Sequence, residues 1–177
     1  MSIPTAGDAV ITREQWGVLL GLVHYPGRPP TSTAEDVLRC FGASDGVSLG
    51  LHLLERAVAK RGAEDVEGAL LVCNRFGFTP EHLPLLLELA STEWHHSHED
   101  VVWYLGDYQG PEVVNALIRA TEWIPEYLRF DESRALARKA VRGLGRQPDE
   151  KARDALLRLA ASDHEIIRTD ALKQLER

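Results

Sequence analysis

Apolar positions recur at intervals of three and four residues along nearly the whole chain. No run of Val, Ile, Thr and aromatic residues alternates with period two for long enough to make a strand. That pattern predicts an all-α protein. Breaks of Gly, Pro, Asp and Ser divide it into about ten helices, over 12–24, 32–41, 47–61, 64–76, 80–91, 97–107, 111–121, 132–144, 149–161 and 164–176. Thr79 and Gly110 each precede a proline at the first helical position, and Asp131 and Asp163 each precede Glu within two residues, so all four mark helix starts.

The last six segments repeat. In the first helix of each pair Leu86-Leu87-Glu88 aligns with Leu117-Ile118-Arg119 and Leu156-Leu157-Arg158, the latter two preceded by Ala116 and Ala155. In the second helix Val101, Leu105 and Gly106 align with Ala140, Leu144 and Gly145, and with Ala171, Leu175 and Glu176. Leu86 to Leu105 and Leu156 to Leu175 are each 19 residues, while Leu105 to Leu117 and Leu144 to Leu156 are each 12, which makes the period 31. Leu117 to Leu144 is 27, so the middle pair carries eight extra residues, placed at 123–130. Two helices per unit at this period predict a right-handed α-solenoid whose hairpins bury their apolar faces by stacking. The expected organisation is one domain over 1–177 with about four to five hairpins, three of them clear over 80–177, and a divergent N-terminal cap over 1–45.

The segment Ile167-Arg168-x-x-Ala171-x-x-Gln174-Leu175 resembles the core of the short HEAT-like repeats named after phycobilisome lyases. Leu136-x-x-x-Ala140-x-x-Gly143-Leu144-Gly145 is similar but lacks Arg at the second position. From about residue 48 onward the chain also resembles a group of small bacterial HEAT-repeat proteins with a W-H-x-x-H-E-D segment, here Trp94-His95-His96-Ser97-His98-Glu99-Asp100. Members of that group are often supposed to be immunity or accessory proteins of toxin systems. The resemblance therefore implies a HEAT-like fold with a protein partner.

Composition narrows the function classes. With 44% hydrophobic and 27% charged residues in 177, the chain reads as an ordinary globular domain and not a disordered one. Its formal charge of -7 opposes phosphate backbones, so nucleic acid is an unlikely partner unless basic residues converge locally. Cys40 and Cys73 sit in apolar helical stretches without a short-spaced partner, which predicts two buried thiols in a reducing cytoplasm. Residues 1–10 show no targeting signal, and no stretch approaches the ~20 apolar residues of a membrane span.

Candidate chemistry is sparse. His95, His96, His98 and Glu99 are ligand types for zinc or iron, yet only His95 and His98 have a helical spacing that puts two ligands on one face, and His95 precedes the helix. Deoxyhypusine hydroxylase, a HEAT-repeat di-iron enzyme, carries His-Glu ligand pairs on successive repeats. The pairs here are out of register, with His98 seven residues before Leu105 and His164 eleven before Leu175. No metal or cofactor is expected. A base-excising HEAT-like class uses a cationic groove, for which Arg138, Lys139, Arg142 and Lys173 are the candidates, diluted by Glu99, Asp100 and Asp170. Nucleic-acid binding is thus the alternative function, and a metal-dependent HEAT-repeat enzyme the third. There is no G-x-S-x-G elbow, no base beside either Cys and no phosphate loop, so no enzyme is expected.

Aromatic placement is the remaining signal. Trp94 and the 123–130 insert, with Trp123, Tyr127 and Phe130, fall between the first and second helices of their units, and such loops align along one edge of a solenoid. Trp103 lies on a second helix. The expected partner-binding set is Trp94, Trp103, Trp123, Tyr127, Arg138 and Arg142, holding an unidentified protein. Folding back of Trp123 and Phe130 into the groove between helices stays open.

Overall fold

The computed structural model describes residues 10–24 and 26–177. The expectation that residues 1–9 carry no targeting signal falls outside them. Among the described residues the chain forms ten α-helices and two 3-10 turns, without a strand. No helix there is long and apolar enough to cross a membrane. The helices fall into two compact units, divided between His82 and Leu83.

In the first unit α1 (Arg13–Leu20) and α2 (Ala34–Phe41) both open on a capping box, Thr12 with Gln15 and Thr33 with Asp36. The first ends sooner than the periodicity predicts. Its apolar pattern runs on to Val23, but the backbone after Gly21 tightens into single turns, with Leu22 N–H on the Leu19 carbonyl and Val23 N–H on that of Leu20. α3 (Gly46–Lys60) and α4 (Ala63–Phe76) pack as a hairpin joined by Arg61, in the left-handed region at φ 52°, and Gly62. They approach closely at Gly50, where an added Cβ would sit 2.9 Å from Cys73 Sγ. Cys73 is fully buried, and burial pushes its thiol up to about 12. Cys40 is only half-buried, on the last turn of α2, so the expectation of two buried thiols holds for one.

The second unit contains α5 (Leu83–Leu89), α6 (His98–Leu105), α7 (Pro111–Glu122), α8 (Ala135–Leu144), α9 (Glu150–Leu159) and α10 (Glu165–Leu175). Each helix packs on the next. Helices two apart also touch: α5 on α7, α7 on α9, α6 on α8 and α8 on α10. Most aligned positions match in burial: Leu86, Leu117 and Leu156 are buried, as are Val101, Ala140 and Ala171, and Leu105 and Leu144, whereas Leu175 is only half-buried. Gly106 and Gly143 allow α6 and α8 to meet, since a Cβ on Gly106 would lie 2.9 Å from Gly143 Cα. The last carbonyls of α6 and the turn beyond it are satisfied from α8 and its exit: Arg146 donates to Gly106 and Trp103, and Gln147 to Tyr108.

Three helix starts differ from the sequence reading, the first being α5, where Pro80–His82 form a 3-10 turn and the α-helix begins at Leu83. Gly110 with Pro111 opens α7 as predicted. α8, however, begins at Ala135 and not near 132, because the Asp131 carboxylate takes Ser133 N–H and hydroxyl and Ala135 N–H in a tight turn. α10 begins after His164, and Asp163 does not cap it.

Candidate functional site

The residues with most chemical character meet where the α5–α6 connection faces the α7–α8 connection. His95 and His98 are both fully buried. Their rings stack, with centroids 4.0 Å apart and planes 18° from parallel. Trp94 meets His95 edge-on at 5.2 Å, and Trp123 meets His98 edge-on at 4.8 Å. Tyr127 lies 5.6 Å from His98, with the exposed His96 4.7 Å away on Tyr127.

Hydrogen bonds fix the protonation of both buried rings. Ser97 N–H donates to His95 Nδ1 at 3.1 Å, so His95 holds its proton on Nε2 and donates it to the Leu89 carbonyl at 2.9 Å. His98 Nε2 donates to the Thr92 carbonyl at 2.6 Å, and its Nδ1 accepts from the Tyr127 hydroxyl at 3.1 Å. The same hydroxyl accepts His98 N–H at 3.3 Å. Both histidines are therefore neutral and donate to carbonyls at the end of α5 and in the turn that leaves it. Burial, the largest cause, pushes His95 down to about 4 and lowers His98 as well. It also raises the Tyr127 phenol to about 12.

All four ring nitrogens of the pair are thus committed to protein groups, and the carboxylate next in sequence, Glu99, faces Lys139 at 3.4 Å. Among the described residues no three His, Cys, Asp or Glu side chains are grouped to hold a metal ion. His164 lies at the start of α10.

The structure divides the predicted partner-binding residues. Trp94, Trp123 and Tyr127 come together around the histidines. Trp123 turns inward and is half-buried, whereas Ile124, Tyr127 and Phe130 remain exposed at 43%, 37% and 83%. One part of the insert is folded back and the other faces solvent. Trp103 stands apart on α6, 37% exposed, with the Arg146 guanidinium 5.1 Å over its ring. Arg138 pairs with the nearly buried Asp170 at 2.8 Å, and Lys139 reaches Glu99 and Asp100. Arg142 and Lys173 are exposed and make no ion pair among the described residues.

A cleft of about 460 Å3 opens beside the histidine pair, which sequence reasoning did not anticipate. Ala90, Ser91 and Glu93 line it from the α5–α6 connection, and Arg119, Glu122 and Trp123 from the end of α7. Only Trp123 had been singled out by its residue type; the other five residues are ordinary surface types that only folding brings together.

No family model, no curated protein and no solved structure matches the chain.

Proposed function

We propose that this chain is a HEAT-like helical-repeat protein that binds another protein and carries out no reaction of its own. The observation that carries this reading is the 123–130 connection. It presents Ile124, Tyr127 and Phe130 to solvent while Trp123 and Tyr127 anchor it to the buried His98. Exposed apolar groups on a backbone already held in place lose little freedom on association, which is what a docking surface needs. Aromatic anchors are also the residues that dominate protein interfaces.

The repeat reading is supported by burial at most of the aligned positions, and by contacts between helices two apart along the chain. A right-handed α-solenoid of hairpins accounts for both. Within it the partner lies along the loop edge at Trp94, Trp123 and Tyr127, with Trp103, Arg138 and Arg142 on the second helices. The most concrete version is an immunity or accessory protein of a bacterial toxin system, working in the cytoplasm. The nucleic-acid alternative is weakened by the ion pairs: two of the four cations proposed for a basic groove, Arg138 and Lys139, are neutralised by Asp170, Glu99 and Asp100.

Affinity capture from a lysate of the native host tests the reading, with wild type beside an Ile124→Ser/Phe130→Ser variant. The expected outcome is a stoichiometric protein recovered with the wild type and lost from a variant of unchanged melting temperature. Equal recovery with both would remove the 123–130 surface from the account.

A further inference from the structure

We propose that the cleft beside Trp123 is a socket for an arginine side chain of the partner, an inference that rests on the docking reading. Glu93 and Glu122 approach it from different elements, Trp123 forms an aromatic wall, and Arg119 stands with them. Glu93, Arg119 and Glu122 are exposed and make no ion pair among the described residues, although they line one cleft. Cations and carboxylates that share a cleft yet stand apart are available to a ligand.

The chemistry selects the occupant. Two carboxylates against one guanidinium leave the cleft with a formal charge of -1, and the face of an indole attracts cations. A carboxylate would meet two like charges and the negative face of the ring. An apolar group would strip water from three charged side chains without replacing their hydrogen bonds. Among cations, a guanidinium is planar, stacks on an indole and offers forked donors to two carboxylates, which an ammonium does not. Arg119 is then free to donate to a main-chain carbonyl of the same peptide. At about 460 Å3 the cleft falls within the ~300–1,000 Å3 range of ligand pockets, enough for a side chain with its flanking backbone. Trp123 is already fixed edge-on against His98, so the wall needs no reordering.

Titration of the 15N-labelled protein with acetyl-Gly-Arg-Gly-amide tests the socket, read at the Trp123 indole N–H signal, which Trp123→Phe assigns. The expected result is a saturable shift with the arginine peptide, little with its citrulline analogue, and a weaker response to lysine. Glu93→Gln/Glu122→Gln should weaken the arginine response by about tenfold while the rest of the spectrum stays in place. No saturable shift, or an equal shift with citrulline or lysine, would overturn the proposal. A partner captured through Ile124 and Phe130 by a protein that ignores the arginine peptide would remove the socket alone. Arginine binding without any captured partner would remove the docking reading and keep the cation site.

Discussion

At the residue scale the account turns on His95 and His98. The sequence displayed them as potential ligands, and their spacing did bring the rings together. Their roles were not legible, because what they bind are the backbone carbonyls of Leu89 and Thr92, groups that carry no residue identity. The pair has a consequence for pH. His95 is pushed down from 6.5 to about 4 in the folded protein, so between those values the unfolded chain takes up a proton that the folded one refuses. Its contribution to stability is complete above about 6.5 and is lost as pH falls towards 4; His98, lowered for the same reason, acts in the same direction. Urea denaturation at pH 7 and pH 4.5 should differ by ~1–3 kcal/mol from this pair, and an Asn in place of His95 should remove much of the difference. An unchanged pH dependence in His95→Asn would contradict the neutral, buried assignment. Tyr127→Phe deletes the hydroxyl that serves both His98 Nδ1 and His98 N–H, and should lower stability by about 1–2 kcal/mol in the same assay.

At the element scale the hydrophobic pattern located the ten helices of the described residues, because 3.6-residue periodicity and glycine or proline breaks are properties of the chain itself. Boundaries were less legible where a side chain captures backbone donors before the helix begins, as Asp131 does ahead of Ala135. The 31-residue alignment placed Gly106 and Gly145 as equivalents, yet the close approach is between Gly106 and Gly143, a matter of helix distance that spacing does not encode. Gly143→Ala would set a Cβ 2.9 Å from Leu117 Cδ2 and 3.4 Å from Gly106 Cα, with an expected loss of about 1–3 kcal/mol by thermal denaturation. Gly17→Ala in α1 is the contrasting case. It meets no atom within 4 Å and lies inside a helix, so it should raise stability by roughly 0.5–1 kcal/mol. A large loss at Gly17 or none at Gly143 would contradict these packing assignments.

At the scale of the whole molecule, a net charge of -7 and the neutralised ladder of α6, α8 and α10 both argue for a partner that is not a polyanion. The exposed apolar residues Ile124, Tyr127 and Phe130 then form the candidate contact surface on the 123–130 connection. The aromatic residues of that surface could be picked out in the sequence. The inward turn of Trp123 and the outward position of Phe130 could not, since both followed from where the histidine pair closes. The most direct measurement is site-specific photo-crosslinking in the native host, with benzoylphenylalanine at Phe130 on the proposed surface and at the exposed Arg153 on α9 as the control. The account predicts a discrete protein adduct from position 130 and none from position 153. Equal adducts from both, or none from position 130 in cells where the protein is abundant, would contradict a docking surface on the 123–130 connection.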